Sequence, residues 1–184
     1  MKKVEIFIGS PRKHGNTAFL STLLSEQLRE NNLLVGSASF LYDYEINPCT
    51  DCRFCKKGEL RCVIDDGGKV LSVKMEEADV MVFGTPIYWS GPTATMKLLI
   101  DRLRPYYASK RLQGKKAALI LPAADGAADC DLTITMFKRI FKALGIEYID
   151  ALTVKAYDIG DIAKSDESMK TVEKLAQQIG KAFD

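Results

Sequence analysis

The amino-acid sequence predicts an α/β fold with a doubly wound sheet of five parallel strands in the order 2-1-3-4-5. Its 184 residues, 47% of them hydrophobic and 27% charged, match one globular domain of ordinary size. Short apolar runs alternate along the chain with segments of helical periodicity, as in strands joined by crossover helices. Right-handed crossovers favour the doubly wound order. We expect residues 1–184 to form a single domain with a cysteine-rich insertion at 48–66.

The first half of the chain predicts two strands and two helices. An apolar run at 4–9 leads into Gly-Ser-Pro, which is typical of a buried strand that ends in a loop. Leucines at helical spacing predict an amphipathic helix at 17–31. A second strand is expected within 35–46, and a short helix is expected at 68–78, after the cysteine-rich insertion.

The second half of the chain predicts three strands and three helices. The run DVMVFGTP at 79–86 is the clearest buried strand in the sequence. It is followed by a helical pattern at 93–104, TATMKLLIDRLR. The remaining elements are strands at 116–123 and 147–156, a helix at 131–144 that Gly145 ends, and a final helix at 165–182.

Two loops are expected to meet beyond the carboxyl ends of the strands. In the order 2-1-3-4-5 the chain reverses direction between strands 1 and 3, and doubly wound sheets bind ligands at that switch point. The loops that follow those strands are GSPRKHGNT, residues 9–17, and GTPIYWSGP, residues 84–92. The sequence therefore predicts a ligand site between these two loops.

The loop at 9–17 has the composition of a phosphate site. It runs into a helix N-terminus, whose backbone N–H groups and dipole favour an anion. Arg12 offers a fork of donors for phosphate oxygens, and neutral donors come from Ser10, Asn16 and Thr17. The loop is neither a Walker A loop nor a G-x-G-x-x-G motif, which argues against a dinucleotide held in the Rossmann manner. The alternative is an ordinary turn with solvated cations.

The loop at 84–92 is suited to a flat ring. Tyr88 and the only tryptophan, Trp89, stand beside backbone held open by glycine and proline. A planar, electron-poor ring can lie against such aromatics and accept hydrogen bonds from loop N–H groups. The alternative is that both side chains cover the core or an oligomer interface. Together with a phosphate site in the same crevice, the loop indicates a flat mononucleotide.

Composition and charge argue against several classes of protein. The net charge is +2 and no block of cations suggests a nucleic-acid surface. The apolar runs are too short for a membrane span, and the first residues do not form a signal peptide. We expect a cytoplasmic location, where thiols stay reduced. A phosphoryl-receiver domain is excluded because strand 1 ends in Gly-Ser-Pro-Arg rather than in an acidic cluster.

Four of the five cysteines, Cys49, Cys52, Cys55 and Cys62, follow the pattern C-x₂-C-x₂-C-x₆-C. A reducing compartment argues against disulfides. The first three resemble a ferredoxin-type cluster loop, although the last interval is longer than usual. Structural zinc normally takes two separated pairs and fits less well, while buried free thiols behave as small hydrophobes. The spacing alone leaves a cluster, zinc and free thiols open, and Cys130 receives no role.

Both loops together carry a family resemblance. A strand followed by GSPRKHGNT, and a later strand followed by TPIYWSGPTATMK, resemble the flavodoxin-like, NAD(P)H-dependent FMN reductases, and more closely their iron–sulfur flavoprotein branch. The likeness runs from Lys3 to about residue 155. It implies that the first loop binds the FMN phosphate and that the second cradles the isoalloxazine ring. The residues so implied are Ser10, Arg12, Lys13, Asn16 and Thr17 in the first loop and Pro86, Ile87, Tyr88, Trp89 and Ser90 in the second.

The resemblance also implies an activity and partners. The protein is expected to be an oxidoreductase that takes hydride from NADH or NADPH and passes electrons to a small-molecule or protein acceptor. A [4Fe–4S] cluster on the four cysteines is possible, because the branch carries a compact cysteine motif at this position. Assembly as a homodimer or homotetramer is expected. The alternative is an electron-transfer flavodoxin with no substrate of its own, although such carriers are usually strongly acidic and this chain has a charge of +2.

Overall fold

The computed structural model describes residues 1–183 and confirms the predicted sheet. The strands are β1 (Lys3–Ile8), β2 (Leu34–Val35), β3 (Ser39–Phe40), β4 (Val80–Gly84), β5 (Ile87–Tyr88), β6 (Gly91–Pro92), β7 (Lys116–Ala123) and β8 (Glu147–Lys155). The helices are α1 (Asn16–Glu30), α2 (Gly67–Glu77), α3 (Ala94–Asp101), α4 (Arg104–Ser109), α5 (Asp131–Leu144) and α6 (Asp166–Lys181). The main sheet is parallel with the order β2-β1-β4-β7-β8, which is the flavodoxin-like order 2-1-3-4-5.

The predicted second strand is broken into two pieces. Both β2 and β3 pair with β1, β2 near its start and β3 near its end. Gly36 donates one last hydrogen bond to the carbonyl of Val4, at 3.1 Å, and the chain then leaves the ladder until Ser39. Glycine and serine have little preference for strands, which explains why the pairing lapses at this edge of the sheet.

The helix predicted at 93–104 is two helices, and Pro105 explains the break. Helix α3 ends at Asp101, and α4 begins at Arg104 with Pro105 in its first turn. In a continuous helix the ring of Pro105 would collide with the carbonyl of Asp101, four residues earlier. The chain therefore bends at residues 102–103, and this bend sets the direction of the Arg102 side chain.

Both faces of the sheet are covered, so its strands are apolar on both sides. On one face Phe7 and Phe83 stack with ring centroids 5.5 Å apart, and Phe137 of α5 packs on Phe83 at 5.6 Å. On the other face Ile6 and Ile8 pack against α1 and α6. The alternation of Ile6, Phe7 and Ile8 between faces follows the period of two of a strand. No helix within residues 1–183 is long and apolar enough to cross a membrane.

A buried ion pair joins α2 to the α3–α4 bend. The Arg102 guanidinium donates to both carboxylate oxygens of Asp66, at 2.7 and 3.0 Å, and both side chains are almost fully buried. Asp66 is also the N-cap of α2 and accepts from the backbone N–H of Gly68 at 2.9 Å. A further N–H, from Asn47, reaches it at 2.8 Å. Burial alone would raise the pKa of Asp66, but the bonds from Arg102 and these N–H groups hold it below its ordinary value.

We predict that Asp66→Asn lowers the free energy of unfolding by about 3–5 kcal/mol, the usual cost of leaving a buried charge without its partner. Asparagine keeps the shape of the side chain and can still cap α2, so the loss isolates the charge. Asp65→Asn is the matched control. Asp65 pairs with Lys69 on the surface, with 88% of its side chain exposed, and should contribute about 1 kcal/mol at most. Urea unfolding of the three proteins measures both effects, and equal losses would contradict the prediction.

The same comparison has an expected pH dependence. Because the folded-state pKa of Asp66 is lowered, its stabilisation is complete above the unfolded-state value near 3.8 and is lost as the pH falls through the folded value. The difference in the free energy of unfolding between the wild-type protein and Asp66→Asn should therefore become smaller below pH 3.8. A difference that stays constant through that range would show that the pKa of Asp66 is the same in the folded and unfolded states.

Candidate functional site

A cavity of about 250 Å³ opens at the carboxyl ends of β1, β4 and β7, where the sequence places the ligand site. Seven of the residues implied by the resemblance line it, and these are Ser10, Arg12, Asn16, Thr17, Pro86, Ile87 and Tyr88. The structure thus brings the phosphate-type loop and the aromatic loop to one crevice. Lys13, Trp89 and Ser90 do not line the cavity.

The two loops are bonded to each other directly. The N–H of Gly9 donates to the carbonyl of Gly84 at 2.7 Å, and the Gly9 carbonyl accepts from the Thr93 hydroxyl at 2.6 Å. The backbone N–H of Thr93 donates in turn to the hydroxyl of Thr85 at 3.1 Å. A Cβ on Gly9 would lie only 2.8 Å from the Cβ of Met96, so glycine is required where the first loop passes α3.

The first loop ends at the N-terminus of α1. Gly15, which has no side chain to offer as a cap, is the N-cap, and its N–H donates to the carbonyl of Arg12 at 3.1 Å. Ser10 accepts from the backbone N–H of Arg12 at 3.2 Å and closes the turn. The first helical residues, Asn16 and Thr17, line the cavity with their N–H groups at the positive end of the helix dipole.

The two cations of this loop have different surroundings. Arg12 lines the cavity, and its guanidinium forms no ion pair within residues 1–183. Lys13 turns outward, where its ammonium pairs with Asp43 at 2.8 Å and lies 5.8 Å from the centroid of the Phe40 ring. Arg12 is therefore the cation of this loop that remains available to an anion in the cavity.

Asn16 is already bonded through its side-chain amide. Its Nδ2 donates to the carbonyl of Asp158 at 2.8 Å, and its Oδ1 accepts from the N–H of Gly160 at 3.2 Å. These two bonds tie the start of α1 to the segment that follows β8. The side chain of Asn16 thus shapes one wall of the cavity.

The aromatic loop is a small β-hairpin, which the sequence analysis did not anticipate. Strands β5 and β6 pair antiparallel, and the two residues between them, Trp89 and Ser90, have φ values of +50° and +62°. Two positive φ values in a two-residue hairpin turn are typical of type I′, which usually takes Asn-Gly. Tyr88 lies on the cavity, whereas Trp89 is fully exposed at the tip, so it does not cover the core. The Ser90 carbonyl accepts from Thr133 of α5 at 3.3 Å.

The rest of the cavity wall has no sharp motif in the sequence. It comes from the ends of β7 and β8, and the residues are Pro122, Ala123, Ala124, Ala156, Tyr157 and Ile159. Their place in the chain, directly after two strands, is the signal that points to them, because the carboxyl ends of neighbouring parallel strands share one edge of the sheet. The small residues after β7 leave the space that the cavity occupies.

The four clustered cysteines line one small pocket of about 20 Å³ together with Arg102 and Arg104. Burial and the neighbouring thiols of Cys62, Cys49 and Cys52 raise the pKa of Cys55, and Arg104 opposes them. Within residues 1–183 no group of three or more His, Cys, Asp and Glu side chains is arranged to hold a metal ion. The pocket has room for about one water molecule.

The segment that carries the four cysteines has little regular secondary structure that would keep its small pocket from opening wider. It holds one short 3₁₀ helix, Phe54–Lys56, and Asp51, Arg53 and Leu60 have positive φ values. Cys52 is exposed and the other three thiols are partly exposed. The donor set of four thiols around one space fits an iron–sulfur cluster by its chemistry, provided that the exposed part of the segment opens.

The fifth cysteine differs from the other four. Cys130 is fully buried at the start of α5, and its thiol lies 3.2 Å from the carbonyl oxygen of Gly126. Burial and, after it, Asp129 and Asp131 raise its pKa to about 11. A buried, protonated thiol of this kind is chemically inert.

The cysteine pocket and the cavity share no lining residue among those described. Helix α3 separates them, because Thr93 at its N-terminus touches the loops of the cavity and Arg102 at its C-terminus lines the cysteine pocket. An eight-residue helix spans about 12 Å. Within one chain the two sites are therefore about a helix length apart.

Comparison with known proteins agrees with this geometry. The family model described as NADPH-dependent FMN reductase matches residues 2–154. An iron–sulfur flavoprotein of Methanocaldococcus jannaschii is 35% identical over 134 residues, 72% of this chain and 68% of its own. An iron–sulfur flavoprotein of Archaeoglobus fulgidus is 32% identical over 185 residues, 100% of this chain and 81% of its own. A flavodoxin, WrbA-like protein from Agrobacterium tumefaciens superposes with a TM-score of 0.62 at 14% identity, covering 100% of both chains.

Proposed function

Because the chain belongs to the NADPH-dependent FMN reductase family, we propose that it binds FMN and transfers electrons from NADH or NADPH to a small-molecule or protein acceptor. The observation that carries the proposal is the cavity at the carboxyl ends of the strands, which both Arg12 and Tyr88 line. The cavity offers one phosphate-type site and one aromatic wall, which suits a mononucleotide.

The first loop supplies the phosphate end. Arg12 lines the cavity and forms no ion pair with any residue that the structure describes, and the N-terminus of α1 adds backbone N–H groups and a favourable dipole. Ser10 and Thr17 contribute hydroxyl donors from the loop and the first turn of α1. A dianionic phosphate would meet one cation and several neutral donors there. The N-cap of α1, Gly15, has no side chain that could stand between the phosphate and the helix.

The second loop supplies the ring end. Pro86, Ile87 and Tyr88 line the cavity, and the backbone between Gly84 and Pro92 is held by the hairpin and by Thr85. Bound FMN would provide the hydride chemistry itself, accepting two electrons from a nicotinamide and releasing them to the acceptor. The chain would position the ring against Pro86, Ile87 and Tyr88.

We also propose that Cys49, Cys52, Cys55 and Cys62 hold a [4Fe–4S] cluster. Support comes from the four thiols around one pocket and from two relatives, at 35% and 32% identity, that are described as iron–sulfur flavoproteins. Arg102 and Arg104 line the pocket, where guanidinium N–H groups can donate hydrogen bonds to ligated thiolates. When bound, such a cluster exchanges electrons singly, which suits a one-electron acceptor.

Assembly as a homodimer or homotetramer is part of the proposal. An apolar groove of about 620 Å³ runs along α3, α4 and α5, with Ile100, Tyr107, Met136 and Ile140 in its lining. Its rim carries both signs of charge, from Lys97 and Asp101 among others, so a second copy of the same surface is complementary in charge. This groove is the face that we propose for contact between subunits.

The purified protein should carry FMN, and NADH or NADPH should bleach its absorbance under anaerobic conditions. The physical reason is that the first loop offers one phosphate site and the sequence has no G-x-G-x-x-G motif for a dinucleotide. Chromatography of the cofactor released by denaturation identifies it, and FAD would contradict the proposal. A flavin that neither nucleotide reduces, although dithionite does, would favour the alternative of an electron-transfer flavodoxin.

Arg12→Ala should weaken FMN binding by about 1.5–3 kcal/mol, the range for a hydrogen bond to a charged group. Arg12→Lys should recover only part of the loss, because an ammonium cannot reproduce the guanidinium fork. Lys13→Ala is expected to have a smaller effect, since that ammonium is paired with Asp43. Titration of the apoproteins with FMN, followed by flavin fluorescence, measures all three. Equal losses for Arg12→Ala and Lys13→Ala would show that the cavity geometry does not decide binding.

Protein prepared without oxygen should contain about four iron and four sulfide per chain. Cys52→Ser should lose the iron and keep FMN, because the cysteine pocket and the cavity have no common residue among those described. Cys130→Ser, which removes a buried thiol outside the pocket, should retain both. Iron, sulfide and flavin assays on the same samples measure the outcome. A wild-type protein that takes up no iron on anaerobic reconstitution while FMN is fully bound would contradict the cluster.

A further inference from the structure

The Arg102 side chain holds both ends of the cysteine segment. Its guanidinium donates two hydrogen bonds to Asp66. It also donates to the carbonyl of Asn47 at 2.9 Å and to the carbonyl of Ile64 at 3.3 Å. Asn47 lies two residues before Cys49, and Ile64 lies two residues after Cys62. One buried guanidinium from the α3–α4 bend therefore fixes the points at which the segment leaves and rejoins the core.

One donor of this guanidinium is left over. The Nε–H of Arg102 is buried and has no hydrogen-bond acceptor within residues 1–183. A buried donor without an acceptor costs about 1–3 kcal/mol, and native proteins seldom leave one unexplained. Cys62 lines the same pocket as Arg102.

The backbone is held on both sides of Cys62. Arg111 donates to the carbonyl of Leu60 at 2.8 Å on one side of it, and Arg102 donates to the carbonyl of Ile64 on the other side. A neutral thiol is a weak acceptor, whereas a metal-bound thiolate accepts N–H groups well. The sulfur of Cys62 lines the same pocket as this unsatisfied donor, and as a ligated thiolate it is a suitable acceptor.

We propose that Arg102 is a positioning residue for the cluster: it fixes both ends of the cysteine segment and donates its Nε–H to the ligated sulfur of Cys62. This inference rests on the cluster of the proposed function. Asp66 balances the charge of Arg102, so the hydrogen bond to sulfur, rather than added positive charge, is what Arg102 contributes to the cluster. Hydrogen bonds to ligand sulfurs raise the reduction potential of an iron–sulfur cluster and strengthen its retention.

The test compares two arginine-to-lysine changes that both preserve charge. In Arg102→Lys the ammonium can still pair with Asp66 but lacks the Nε–H. Arg61→Lys is the matched control, since Arg61 is the neighbour of Cys62 yet is half exposed and bonded to Glu76. Arg102→Lys should lower the midpoint potential of the cluster and release iron to a chelator about tenfold faster or more. Arg61→Lys should leave both values unchanged, and FMN content should be equal in all samples.

A measurement on the unsubstituted protein covers the case in which Arg102→Lys does not fold. With ¹⁵N only in arginine, pulsed electron paramagnetic resonance of the reduced cluster should show a nitrogen coupled through the hydrogen bond to sulfur. No coupled arginine nitrogen, or a folded Arg102→Lys protein with the potential and iron retention of the wild type, overturns the role of Arg102 alone. A wild-type protein without iron overturns the proposed cluster and this inference together, so the two failures are distinguishable.

Discussion

The parallel pairing of β1 with β4 is the constraint on which the candidate site depends. Because these two strands are neighbours although 71 residues separate the end of one from the start of the other, the loops that follow them emerge side by side. The hydrogen bond from Gly9 to Gly84 continues the ladder beyond the strands and holds the loops in contact. Every other feature of the cavity, from the N-terminus of α1 to the hairpin, is placed relative to that contact.

The secondary-structure elements with strong local sequence signals could be predicted correctly from the sequence. β7 at 116–123 and α5 at 131–144 have the predicted bounds, because an apolar run and a glycine C-cap are both local signals. Pro105 was also a local signal for the break after α3, but the helical pattern of 93–104 hid it. The hairpin was not predictable in this way, since Trp-Ser is not the Asn-Gly pair that marks a type I′ turn.

Some features of the candidate site could likewise be predicted from local sequence, and others depend on distant residues. The side chains that line the cavity from the first loop follow from motif and position, whereas the outward turn of Lys13 depends on Asp43, thirty residues away. The role of Arg102 depends on partners even further along the chain, 36 and 55 residues away in Asp66 and Asn47. An arginine in an amphipathic pattern is normally read as a surface residue. Only the tertiary structure shows that it is buried and that it joins the cysteine segment to α2 and α3.

The hairpin of β5 and β6 has a consequence for how relatives of this protein can diverge. It leaves the sheet after β4 and returns to α3, and its tip at Trp89 contributes nothing to the core. Substitutions at the tip that tolerate its positive φ therefore alter the shape presented to an incoming molecule without disturbing the core. The tip of this appendage can change while the strands, the first loop and the buried Asp66–Arg102 pair keep their packing. The architecture thus separates a packed scaffold from an exposed tip that the scaffold does not need.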